Sequence, residues 1–205
     1  MQQKKYTKSI VWLKNDLRIN DHTSLYKAIQ DSDEILLLYL FEPSILKSNQ
    51  SSDFHLQAKW QSLSTLRKEL KKLKIDILVL QTEAKNAFEL IKKKFDFQAI
   101  FSHQEIGTEL TYARDREIKK LVNTLNVKWH EYKQNGVVRG LKSRDKRNEL
   151  WWKHYLKSLK HPVLKPNQFK SFTKKTPKIT LKDLNIKINN NLQKVDFIEA
   201  KKTLK

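Results

Sequence analysis

The sequence predicts an α/β fold: a Rossmann-like, open, five-stranded, mostly parallel sheet with helices on both faces. Three observations point there. Strand-like and helix-like patterns alternate five times along the chain. The connections between them are short. The strand-like runs are close to continuously apolar, the mark of strands covered on both faces.

Ser9-Ile10-Val11-Trp12-Leu13 is a short run of β-formers and reads as the first buried strand. After a polar turn, Ser24 to Gln30 reads as a helix. Ile35 to Phe41 (ILLLYLF), closed by Pro43, is the second strand. Ser52 or Asp53 can cap the next helix, whose stripe Leu56, Trp60, Leu63, Leu66, Leu70 and Leu73 advances by threes and fours. Ile75 to Leu80 is the third strand and Ala84 to Lys94 the following helix. Ala99-Ile100-Phe101 marks the fourth strand. Thr108 is set to cap a helix through Thr124, with Leu110, Arg114, Ile118, Leu121 and Leu125 down one side. Val127 to Tyr132 is the fifth strand. Ser143 to Leu159 reads as a last helix, with Trp151, Tyr155 and Leu159 spaced by four and helix packing as the expected role of Trp151 and Trp152.

From about His161 the character changes. Pro162, Pro166 and Pro177 interrupt regular structure, and Lys160 to Lys205 carries twelve Lys against Asp183, Asp196 and Glu199. Residues 1–160 are therefore expected to form the α/β domain and 161–205 a basic linker or extended wrap.

The 205 residues, 39% hydrophobic with five Trp, suffice for one domain with a real core. The absence of Cys excludes disulfides, thiolate zinc sites and cysteine nucleophiles. No apolar run approaches the roughly 18 residues of a membrane span and no secretory signal is present, so a soluble, cytoplasmic protein is expected. The net charge of +20 invites a polyanion, but only seven of the 42 basic residues are Arg. A Lys-heavy excess reads first as compositional bias and only second as a dedicated DNA surface.

Ligands of open α/β sheets bind beyond the carboxyl ends of the strands, near the topological switch point. That rule singles out the loops after Leu13, Phe41 and Phe101. The first, Trp12-Leu13-Lys14-Asn15-Asp16-Leu17-Arg18-Ile19-Asn20-Asp21, offers Asp16 and Arg18, either paired with each other or presented to a ligand. The third, Phe101-Ser102-His103-Gln104-Glu105-Ile106-Gly107-Thr108, projects His, Gln and Glu before a helix start that favours hydrogen-bond acceptors. Taken by themselves, both loops read first as turn and capping chemistry and only second as a ligand site. His22, His103, His130, His154 and His161 lack metal-ligand spacing or a carboxylate companion, so no metal site is expected. With only three Gly there is no phosphate-binding glycine loop, and no catalytic group stands out.

The first loop resembles the opening motif of the cryptochrome/DNA photolyase family, Trp-x-(Arg/Lys)-(Asn/Asp)-Asp-Leu-Arg-x-x-Asp. The third resembles the family's fourth-strand loop, Gln-Glu-x-Gly before a helix carrying Ala113-Arg114-Asp115. Gln134 to Asp145 (QNGVVRGLKSRD) is similar to a segment of bacterial members. The three occur in the family's order and span roughly Lys8 to Trp152. The resemblance implies an N-terminal antenna domain, which in the family holds a second chromophore and passes its excitation to FAD in a following helical domain. That helical domain repairs UV-damaged DNA or drives signalling. Glu199-Ala200-Lys201-Lys202-Thr203-Leu204 resembles its first turn, so the chain is expected to be a fragment that lacks FAD and does not repair DNA by itself. DNA is the expected partner of a full-length protein and only a weak, non-specific one of this chain.

The resemblance places an antenna site at Leu13, Lys14, Asn15 and Asp16, Phe41 and Glu42, and Gln104 and Glu105. Folate-using members carry a Glu where Thr111 stands here, and many relatives have Arg where Phe54 precedes His55. A flavin or deazaflavin antenna, or an empty site, is thus favoured over folate. Two other classes remain open: a stand-alone nucleotide- or flavin-binding domain, and a basic DNA-binding module whose affinity would fall steeply with salt.

Overall fold

A computed structural model describes residues 3–49, 51–137, 143–172, 179–180 and 183–184. Part of the Gln134–Asp145 segment and all of Glu199–Leu204 lie outside the described residues. Five strands, β1 (Tyr6–Leu13), β2 (Ser32–Phe41), β3 (Ile77–Gln81), β4 (Ala99–His103) and β5 (Lys128–Tyr132), form one wholly parallel sheet in the order β3-β2-β1-β4-β5. Between them run helices α1 (Thr23–Asp31), α2 (Pro43–Leu46), α3 (Asp53–Lys72), α4 (Ala84–Phe95) and α5 (Glu109–Thr124), and α6 (Arg147–Tyr155) follows β5.

Strand alternation sorts the core into two layers. Val11, Leu13, Ile35, Leu37, Tyr39 and Phe41 face one way, against Leu25 and Ala28 of α1 and Leu56, Leu63, Leu66 and Leu70 of α3. Ile10, Trp12, Leu36, Leu38 and Leu40 face the other, against Phe88, Ile91 and Phe95 of α4 and Ile118, Leu121 and Val122 of α5. Both faces are covered, so β1 from Ile10 and β2 from Ile35 onward are apolar at every position. That is why they read as unbroken hydrophobic runs.

Helix ends follow local chemistry. Ser52 caps α3 by accepting from the His55 amide. Thr108 stands at the N-cap of α5 as expected, but its side chain makes no capping hydrogen bond. Lys74, Asp96 and Asn126, just past α3, α4 and α5, have left-handed backbone angles (φ 58°, 45° and 51°), the conformation glycine supplies in chains richer in it.

Two apolar positions depart from expectation. Leu73 and Leu110 are 40% and 37% exposed, because the first terminates α3 and the second lies in the opening turn of α5 on the rim of a cleft. The last helix is shorter than the pattern suggested and buries none of its residues. Trp151 and Trp152 therefore do not pack into the core. They meet each other edge-on at 4.9 Å, and Trp151 lies 4.4 Å from the Tyr155 ring, on a face that no described element covers. Beyond it the chain returns to the sheet. Lys170 donates from its backbone to the Ile35 carbonyl (2.8 Å), Gln168 donates to the Ile29 and Ser32 carbonyls, and Phe169 and Leu184 join the first core layer.

Candidate functional site

The strand order reverses direction between β1 and β4, which puts the loops after Leu13 and His103 side by side at the carboxyl edge of the sheet. The loop after β1 is folded back on itself by Asp16, whose Oδ1 accepts from the Lys14 amide (2.6 Å). Its Oδ2 accepts from His103 Nδ1 (2.5 Å) and lies 3.1 Å from His22 Nε2. His22 caps α1: its Nδ1 accepts from the Leu25 amide, leaving the ring proton on the Nε2 that faces Asp16. All three side chains are buried. Burial by itself would raise the Asp16 carboxyl, but His22 and His103 outweigh it and hold the group well below its ordinary range. Burial pushes the His103 imidazole down, against the pull of Asp16.

These histidines thus have the carboxylate companion that the sequence did not show. Asp16 does not pair with Arg18, whose guanidinium instead donates to the Asn20 and Asp21 carbonyls. Two imidazoles and a carboxylate are a donor set for a divalent metal, and the three ligand atoms lie within 4.8 Å of one another. The 2.5 Å separation of Oδ2 and Nδ1 is however that of a hydrogen bond. Ligands held about 2.0–2.1 Å from a tetrahedral ion stand roughly 3.3 Å apart. The trio is a clamp joining β1, α1 and β4, hydrogen-bonded between Asp16 and His103 and in close charge contact between Asp16 and His22.

A second cluster centres on Arg114, one residue of the inward stripe of α5. Its Nη1 donates to Glu42 Oε1 (2.7 Å), its Nη2 to Glu105 Oε2 (2.8 Å), and Nη2 and Nε to Asp115 Oδ1 (2.9 and 3.0 Å). Lys14 closes the set on Asp115 Oδ2 (2.9 Å), and both cations lie over the face of Trp12. Burial raises the Glu42 carboxyl, partly opposed by Arg114. Burial alone would lower the guanidinium; Glu42, Asp115 and Glu105 more than reverse this.

Beside this cluster, which reaches it through Glu105, the edge opens into a cleft of about 550 Å³, walled by Asn15, Leu17, Arg18, Ile45, His55, Ala58, Lys59, Glu105, Gly107 and Thr111 among others. A smaller cavity of about 60 Å³ lies behind it, lined by Trp12, Leu13, Lys14, Asn15, Phe41, Glu42, Lys59, Glu105 and Arg114. The volume of the outer cleft falls within the roughly 300–1,000 Å³ of small-molecule sites, and apolar walls at Leu17, Ile45, Ala58 and Leu110 suit a planar ring. The inner cavity has room for water only. Of the residues expected at a site, Asn15 and Glu105 line both cavities, and Leu13, Lys14, Phe41 and Glu42 line the inner one. Asp16 is buried in the clamp, and Gln104, whose amide pairs with the Tyr132 carbonyl, lines neither.

Residues 9–162 match the family model for DNA photolyase. The chain belongs to the DNA photolyase family. Among curated photolyase-family relatives, it is 28% identical over 121 residues to the chloroplastic/mitochondrial cryptochrome DASH of Arabidopsis thaliana, covering 56% of this chain and 20% of the relative. It is 26% identical over 216 residues to the deoxyribodipyrimidine photo-lyase of Buchnera aphidicola, covering 97% of this chain and 44% of the relative. An archaeal photolyase from Sulfolobus tokodaii, solved with two FAD molecules and described as implying a novel light-harvesting cofactor, shares the fold at TM-score 0.69 and 20% identity. That match covers 92% of this chain and 44% of the archaeal one. The photolyase-family chain thus spans between a fifth and under a half of these relatives' length.

Among the lining residues not expected at the site are the cations Arg114 and Lys59. Arg114 had a signal: a cation inside an otherwise apolar inward stripe must find buried anions. Lys59 had little, since it sits beside the α3 stripe among many other lysines.

Proposed function

We propose that this chain is the light-gathering and scaffold unit of a photolyase or cryptochrome, with the outer cleft as its antenna site. The observation that carries the reading is the 550 Å³ cleft at the switch point, with an apolar patch of Leu17, Ile45, Ala58 and Leu110 and with Glu105 of the Arg114 cluster on its wall. A flavin or deazaflavin bound there would absorb light and pass its excitation on. The residues of this chain supply everything else. Leu17, Ile45, Ala58 and Leu110 offer the ring its apolar walls and exclude water from its faces. The Arg114 cluster holds Glu105 in place on the cleft wall, and Asn15 offers a neutral polar contact to the ring edge.

The electron-transfer chemistry belongs to an FAD-holding helical domain, to which residues 161–205 would lead from the α/β unit formed by residues 1–160. On this reading the complete protein acts on DNA in the cytoplasm, and the unit described here does not repair it. Among the described residues no helix is long and apolar enough to cross a membrane.

The test is a fluorescence titration of the purified chain with riboflavin, FMN, FAD, a deazaflavin and a reduced folate. Saturable quenching by the flavin-type ligands, abolished by Ala58→Trp, is the expected result. A chain that changes the spectrum of none of them would end the antenna reading.

A further inference from the structure

We propose that Lys59 anchors a phosphate, so that the cleft takes a phosphorylated chromophore in preference to the bare ring. The inference rests on the antenna reading and sharpens its ligand class. Six ionisable residues with formal charge meet around the inner cavity and its floor: Lys14, Lys59 and Arg114 against Glu42, Glu105 and Asp115. Five of them are committed to one another. Arg114 holds Glu42, Glu105 and Asp115, and Lys14 holds Asp115. Lys59 lines both cavities yet makes no ion pair or hydrogen bond to another described residue.

Burial lowers the Lys59 ammonium, with Glu105 too weak an opponent to restore it. An amine that loses water without gaining a partner is an expensive arrangement, and an anion entering the cleft would supply the missing one. Glu105, the carboxylate on the same wall, is hydrogen-bonded by Arg114 and by the Ile106 amide. Beyond the apolar patch of Leu17, Ile45, Ala58 and Leu110, the wall carries polar groups. Ser48, Ser51, Ser62 and His55 lie on one side. Gly107, Thr108 and Thr111 lie on the other, where α5 begins without a side-chain cap on its amides. A phosphate monoester or diester beside Lys59 therefore meets a cation and hydroxyls, while the ring takes the apolar wall.

Phosphate is common to FMN and FAD, and riboflavin carries the same ring without it. Equilibrium fluorescence titration with all three, on the unaltered chain and on Lys59→Gln and Lys59→Arg, separates the possibilities. Expected are tighter binding of FMN or FAD than of riboflavin, and a loss of at least about tenfold for the phosphorylated ligands in Lys59→Gln, on the order of one charge-assisted bond. Riboflavin binding should change less than about twofold, and Lys59→Arg should retain most of the preference. Inorganic phosphate should compete with FMN on the unaltered chain and leave riboflavin alone, a measurement that needs no variant. Whether FMN or FAD is the tighter tells a single phosphate from a diphosphate. Riboflavin binding as tightly as FMN, or Lys59→Gln weakening all three equally, overturns the phosphate role while the antenna reading stands. Failure of all three to bind sinks both.

Discussion

Two halves of the same sheet edge are built on opposite principles. Beneath the loops, the Asp16–His22–His103 clamp and the Arg114 cluster are closed: buried charges stand next to opposite charges or hydrogen-bond donors at 2.5 to 3.1 Å. On α3, Lys59 lines the wall of an open cleft with no ion pair or hydrogen bond to another described residue. A buried ion pair adds little over an apolar pair of the same shape, but half of one is costly. The closed half therefore specifies a unique loop arrangement. The open half carries a standing desolvation cost that a ligand would relieve, the ordinary trade between stability and function.

The sharpest way to break this contrast is Arg114→Met, which strands Glu42 and Glu105 in the protein interior. A loss of about 3–5 kcal/mol in urea unfolding is expected, and it should shrink as pH falls and Glu42, already raised by burial, takes up a proton. A loss of less than about 1 kcal/mol would mean the cluster is not closed.

Asp16→Asn should cost about 1–3 kcal/mol, because a neutral amide serves two imidazoles less well than a carboxylate. Its pH signature is separable. The folded Asp16 carboxyl lies below 3.8, so its contribution is full above that value and is lost as pH falls beneath it. His103, depressed below 6.5, makes the unfolded chain the better proton acceptor, so stability also declines as pH falls through 6.5. Asp16→Asn should remove the lower limb of the stability curve.

Gly107→Ala sits between the halves. A Cβ there would stand 2.5 Å from Thr111 Oγ1 and 2.8 Å from Glu105 Oε1. The threonine can turn away, but Glu105 is held by Arg114, so a loss of about 1 kcal/mol is expected together with weaker ligand binding. Ordinary stability with ordinary binding would show that the cleft wall is soft. Smallest of all, Lys59→Gln should shift the unfolding midpoint by less than about 0.5 kcal/mol, because no bond is lost. A large loss would mean that Lys59 has a structural partner.

Much of the frame was readable along the chain. The apolar runs of β1 and β2, the stripe of α3 and the Ser52 cap are local patterns, and each lies within a few residues of where periodicity and capping chemistry put it. The loops after the first and fourth strands follow from the rule for open parallel sheets. The failures share a cause. Trp151 and Trp152 have helical spacing and apolar side chains, but a helix packs only if another element comes to cover it, and none of the described ones does. Gln104 lies beside Glu105 in sequence and points elsewhere in the fold, because consecutive residues leaving a strand diverge.

By itself, then, the sequence determined the class of fold, the order and type of its elements and the neighbourhood of the site, because those depend on periodicities of two and 3.6 residues and on local turns. Only the tertiary structure decided the strand order, the meeting of Asp16 with a histidine 87 residues away and of Arg114 with a glutamate 72 residues away, and which cation was left without an anion. Charge pairing at that range obeys distance in space, and no spacing along the chain encodes it.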